Sequence, residues 1–147
     1  MPALAQALRS DRPVQVQEVC QRLADRMCGQ LHVPLVTIKV LAKRPSNRWG
    51  ELHGLYEGVD AALKVAKITL WMRTAQRRQV VAFRSFLRTE LHELGHHFDY
   101  TYLKLADSLH TEGFYKRESS LFHQLVTDAI RSPRNPPPSD NDAATLE

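Results

Sequence analysis

The sequence predicts an α+β domain: an N-terminal helix, a small three-stranded sheet, a long helix, a closing helix and a proline-rich tail. Three observations predict it. Apolar residues recur at helical spacing in three separate stretches. Between the first and second of these lie short alternating segments rich in β-branched residues. The end of the chain, Ser132–Glu147, holds Pro133, Pro136, Pro137 and Pro138 and few apolar side chains.

Residues 1–9 carry little pattern. Ser10 or Asp11 offers a helix cap and Pro13 a first-turn residue. Val16, Val19, Cys20, Leu23 and Met27 then share one helical face, and Gly29 and Pro34 close the helix, which spans about 13–30. Leu35–Ala42 alternates and is β-branched, so it reads as a strand. Arg44–Gly50, with Pro45, Ser46 and Asn47, reads as a turn. Glu51–Glu57 and Lys67–Thr74 read as the second and third strands. From about Arg77 the period changes. Val80, Phe83, Leu87, Leu91, Leu94 and Phe98 fall within about 80° of arc on a helical wheel, which predicts a long amphipathic helix running toward Leu105. A break follows around Asp107–Gly113, and Phe114–Ile130 reads as the last helix. The chain is thus one domain over residues 1–131, with residues 132–147 as a disordered tail.

Composition narrows the function classes. The chain has 147 residues, 43% apolar and 24% charged, enough to bury a core without disulfide or metal staples. Its longest apolar stretches, such as Val80–Phe83, fall far short of the roughly 18 residues of a membrane span. Met1–Leu8 lacks a basic region, and Arg9, Asp11 and Arg12 interrupt any signal-like apolar run, so a cytoplasmic protein is expected. Cys20 and Cys28 sit eight residues apart on one predicted helix, about 12 Å of rise, too far for a disulfide. Net charge is +4; the tail sets Arg134 against Asp140, Asp142 and Glu147, a balance of −2, so the body carries +6. Such a balance favours acidic partners, nucleic acid included.

The chemistry concentrates in His92-Glu93-Leu94-Gly95-His96, an HExxH inside the long helix. A shuffled chain of this composition would contain the pattern only about 2% of the time. Residues i and i+4 of a helix lie about 40° apart around the axis and about 6 Å along it. Two imidazoles so placed converge on one ion at Zn–N distances of about 2.0–2.1 Å. Both project beside the apolar stripe, with Glu93 further round. His97 points elsewhere, about 100° beyond His96, and is not counted as a ligand. For a third ligand the following chain offers His110, Glu118, Glu112, Asp99 and Asp107.

With this motif the chain resembles the zincin metallopeptidases, whose active-site helix carries HExxH behind a mixed sheet. The metzincin branch is excluded, because Asp99 and Tyr102 stand where its pattern HExxHxxGxxH places Gly and His. The segment His110-Thr111-Glu112-Gly113-Phe114-Tyr115 is similar to the third-ligand segment of SprT-like and related minimal metallopeptidases, although Thr111 stands where many of those have Gly. The resemblance implies a minimal zincin-like fold and one zinc ion per chain on His92, His96 and His110. It further implies peptide-bond hydrolysis by a zinc-activated water with Glu93 as general base. A protein or peptide substrate would lie extended along Lys67–Thr74 as the edge strand.

Other residues are read for supporting roles. Tyr100, Tyr102 and Tyr115 are candidate donors to the developing oxyanion, and Asp99 a candidate acceptor behind a ligand imidazole. Trp49 and Trp71 read as packing or substrate-groove residues. Arg77, Arg84 and Arg88 align on one face of the predicted helix. That face supports a second reading, a basic DNA- or protein-binding module without peptidase activity. It also supports a third, a peptidase acting on DNA-bound proteins, as SprT-like relatives do.

Overall fold

The structure, a computed structural model, describes residues 2–131; the tail read from Ser132 to Glu147 lies outside the described residues. Two helices precede the sheet rather than one. The first, α1 (Pro2–Ser10), buries Leu4, Ala7 and Leu8, an i, i+3, i+4 set within a segment too short to show a period as sequence. Asp11, at φ 57°, breaks the chain, and Pro13 opens α2 (Pro13–Leu31) as expected. Neither predicted cap acts there: the Ser10 hydroxyl donates back to the Ala7 carbonyl at 2.6 Å. Gly29 does not end the helix. His32 ends it in the left-handed region at φ 52°, its N–H donating to the Gly29 carbonyl at 3.3 Å.

The main sheet contains β1 (Thr37–Lys43), β4 (Gly54–Glu57) and β5 (Lys67–Arg73), in the order β1–β5–β4. The strands β1 and β5 are parallel, with Ile38 opposite Ile68; β4 and β5 are antiparallel, with Tyr56 opposite Ile68. The segment expected as a turn instead folds a two-residue hairpin, β2 (Ser46–Asn47) with β3 (Gly50–Glu51). Lys67–Thr74, expected as the edge, supplies the central strand. The reason lies in its burial: Ile68 through Met72 are all buried, as a strand flanked on both sides requires.

The two outer edges of this sheet differ. Along β1 the backbone is closed by side chains of α2. Gln21 accepts from the Ile38 N–H at 2.8 Å and donates to the Val36 carbonyl at 2.9 Å, while Gln17 accepts from the Val40 N–H at 3.0 Å. Among the described residues no strand pairs with the outer side of β4. An open edge of this kind is a template for an added strand.

After β5 the chain folds back on itself. Thr74 N–H bonds the Gln79 carbonyl and Val81 N–H bonds the Met72 carbonyl, with Arg78 at φ 52° in the bend. The long helix α3 (Phe83–Thr101) therefore starts after Arg77, not at it, and it stops before Leu105. Its stripe of Leu87, Leu91, Leu94 and Phe98 enters the core against the sheet. A loop leads to α4 (Glu112–Arg131), where the Thr111 hydroxyl caps the first turn by accepting from Phe114 N–H at 3.2 Å. Phe114 and Phe122 anchor α4 in the interior.

Candidate metal centre

His92 and His96 lie one turn apart on α3, and His110 arrives on the loop just before the α4 cap. The loop folds back so that His110 Nε2 stands 3.0 Å from His92 Nε2 and 3.0 Å from His96 Nε2. Phe114 packs against the two helix imidazoles, with ring centres 4.9 and 4.8 Å away. Gly95, between them in sequence, permits this approach, because a Cβ there would stand 3.1 Å from the Phe114 ring. The fourth position of the motif thus favours glycine for packing.

Hydrogen-bond partners assign the ring protons. His92 Nδ1 stands 2.9 Å from the Glu118 carboxylate, which only accepts, so Nδ1 carries the proton and Nε2 a lone pair. Behind Glu118 stands Arg88, at 4.0 Å. A longer chain holds His96. Ser108 Oγ donates to Asp99 at 2.7 Å and so accepts from His96 Nδ1–H, also at 2.7 Å. Asp99 is buried and receives Arg117 at 2.8 Å. Each helix imidazole is therefore oriented by a carboxylate, directly or through a serine, with a guanidinium beyond it. This is the outer arrangement by which metal-ligating histidines are held.

The lone pairs exceed the protons. His92 Nε2 and His96 Nε2 both face His110 Nε2 as acceptors, and one ring proton on His110 serves only one of them well. A cation at the focus satisfies all three nitrogens. Tetrahedral zinc with bonds of about 2.0–2.1 Å separates its ligand nitrogens by roughly 3.3 Å, close to the spacing seen here. Burial, with the neighbouring His92 and His110, pushes His96 down to about 4, so it is neutral, as a ligand must be. The residues present fit a zinc ion.

The alternative ligands are placed elsewhere. Glu118 sits behind His92, and Asp99 behind Ser108. Glu112 pairs with Lys116 on the surface, and exposed Asp107 lies outside the imidazole cluster. His97 is buried away from the focus. Its Nε2–H donates to the Pro34 carbonyl at 2.7 Å, and its Nδ1 accepts from the Tyr56 hydroxyl at 3.1 Å.

Glu93 is buried beside the edge strand. A Cβ at Gly54 would lie 2.7 Å from its Oε1 and 2.8 Å from its Cγ, so the strand backbone and this side chain are in direct contact. Burial raises its pKa, and the Glu118 carboxylate adds to the rise; the neighbouring His92 imidazole and the Tyr56 backbone N–H oppose it. Fully buried Glu90, two residues before His92, is pushed up to about 8 by burial beside Cys20.

Of the three tyrosines, Tyr115 has its ring centre 5.9 Å from that of His110 and 6.3 Å from that of His92. Tyr100 instead accepts from Ser108 N–H and stacks on Tyr56, and Tyr102 is exposed. Trp71 is a core residue, while Trp49 is exposed on the β2–β3 hairpin beneath Arg48. The expected arginine face divides: Arg77 precedes α3, and both Arg84 and Arg88 lie over the Phe122 ring.

Ser108 and Gly54 carry parts of this arrangement that sequence reasoning did not assign. A serine two residues before a histidine has no distinguishing pattern, and a glycine in a strand signals close approach without naming what approaches. Comparison of the chain with protein-family models, with curated proteins and with solved structures gives no match in any of the three.

Proposed function

We propose that the protein is a zinc-dependent peptidase of minimal zincin type. The observation that supports it best is the joint placement of three convergent imidazole nitrogens and a buried glutamate at the open edge of a sheet. His92, His96 and His110 would hold the ion, with Glu118 and Asp99 fixing the two helix imidazoles. When bound, zinc acidifies a water molecule and polarises a carbonyl.

The chain's own residues do the rest. An extended peptide adding to the outer side of β4 brings its backbone alongside Gly54 and Tyr56. Glu93, against that same strand, is positioned to take a proton at its carboxylate and return it to the leaving amine. Burial makes it a stronger base than an ordinary carboxylate, which suits that exchange. Tyr115, beside the imidazoles, is the tyrosine best placed to donate to a developing oxyanion.

Glu93→Gln separates the chemistry from the site. The variant is expected to bind one zinc per chain with unchanged affinity and to cleave an unstructured protein such as casein at least a hundredfold more slowly than wild type. Metal analysis of the purified chain and a gel-based cleavage assay read the two quantities. Cleavage at the wild-type rate would defeat the proposal, and so would a wild-type chain that stays metal-free under zinc excess.

A further inference from the structure

A cleft of about 640 Å³ opens at the end of the sheet, where β4 and α3 finish together. It is lined by Tyr56, Val59, Val65, His97 and Tyr100, among others, and it adjoins the metal centre. The Tyr56 ring stands between them, with its centre 6.4 Å from that of His96 and 6.1 Å from that of Tyr100. We propose that this cleft receives a large apolar side chain of the peptide substrate, two to three residues on the N-terminal side of the cleaved bond. The inference rests on the peptidase reading above.

Three arguments commit the cleft to that occupant. The first is direction. We take the peptide to add antiparallel to β4, as β5 does on the other side; it then runs opposite to β4, so residues beyond the C-terminal end of β4 meet the N-terminal half of the substrate. Tyr56 lies beside the imidazoles, and Val59 follows three residues on, just past the end of β4. The second is unpaid apolar surface. Leu35, Val59, Val65 and Tyr100 are 56%, 66%, 50% and 41% exposed, and all four line this one cleft. The third is hydrogen bonding. His97 spends both ring nitrogens on Pro34 and Tyr56, and the Tyr100 oxygen already accepts from Ser108. The His97 ring is thus fully engaged and the Tyr100 oxygen partly so, and Lys64 in the lining disfavours a cationic side chain.

The test uses zinc-loaded full-length chain and blocked octapeptides that differ at one position, carrying Leu, Phe, Ala or Lys there. Wild type is expected to cleave with a Leu- or Phe-over-Ala preference of about tenfold or more at a position two to three residues before the bond. Glu93→Gln is expected to show the same order in binding measured by calorimetry. Val65→Arg and Val59→Arg change exposed residues, and each is expected to erase the discrimination while zinc content and melting temperature hold. A flat profile at those positions overturns the proposal, as does a preference that survives both arginine variants. If wild type cleaves nothing, the peptidase reading falls; binding by Glu93→Gln then decides the cleft, where equal affinity for Leu and Ala peptides rejects it.

Discussion

Glu118 offers the sharpest test of how the proposed metal centre is built. As a ligand it would bind the ion; the structure instead sets it behind His92, 2.9 Å from Nδ1, with its side chain 12% exposed. In Glu118→Gln the shape is kept and the charge lost, so a charge-assisted hydrogen bond becomes an ordinary one of about half the strength. Outer partners of this kind are worth roughly 10–100-fold in metal affinity, or about 1.4–2.7 kcal/mol. Glutamine keeps an acceptor for Nδ1–H, so the lower end of that range is expected for it and the upper end for Glu118→Ala. The measurement is zinc competition against a chromophoric chelator at fixed pH, with stoichiometry read from the same titration. One zinc per chain should remain in both variants. The reasoning fails if Glu118→Gln matches wild type within twofold, or if Glu118→Ala loses the metal as completely as His92→Ala.

Two further outcomes follow from contacts at the site. Gly54→Ala places a Cβ 2.7 Å from Glu93 Oε1 and 2.9 Å from Thr89 Cγ2. Glu93 or the strand must shift, and a displacement of this order is expected to cost about a hundredfold in kcat/KM with zinc affinity unchanged; cleavage kinetics beside metal analysis distinguish the two. For the metal-free chain, His96 is pushed from 6.5 down to about 4, so the folded state favours its neutral form. Its contribution to stability is present above 6.5 and is lost as pH falls toward 4. Thermal melts of chelator-treated protein between pH 4 and 7 should therefore decline on the acid side, and His96→Asn should flatten that decline.

Legibility in the sequence followed the length scale of the interaction. The α3 stripe and the i, i+4 histidines are encoded by a single helical turn, so both were readable, and so was Pro13 at the start of α2. His110 needed a loop to fold back, which only the likeness of its segment to known third-ligand segments suggested. Strand order was not readable. Ile68, Leu70 and Met72 alternate with Thr69 and Trp71, so β5 resembles an edge strand until the burial of both its faces is seen. The closure of β1 depends on Gln17 and Gln21 reaching across from α2, polar residues that look solvent-facing on a helical wheel. Arg78 in the bend and Val81 bonded to β5 delay the start of α3, a tertiary effect that the apolar period starting at Val80 conceals.

That delayed start changes what the arginines do. A helix running from Arg77 would present Arg77, Arg84 and Arg88 as one cationic face, but only the last two belong to α3. Arg88 lies 3.9 Å over the Phe122 ring and 4.0 Å from Glu118, and Arg84 lies 5.7 Å over the same ring. Elsewhere Arg117 is held by Asp99 and Arg73 by Asp11. A guanidinium stacked on an aromatic face contributes about 0.5–2 kcal/mol to its own fold, and leaving that ring for a phosphate forfeits the contribution. Reversing both Arg84 and Arg88 to Glu is therefore expected to lower stability by roughly 1–2 kcal/mol in denaturant titrations. Duplex DNA affinity, read by anisotropy at two salt concentrations, should change less than tenfold. A larger drop in DNA affinity with stability intact would make this face a nucleic-acid surface after all, because charges free to release counterions carry such binding whereas charges committed to packing do not.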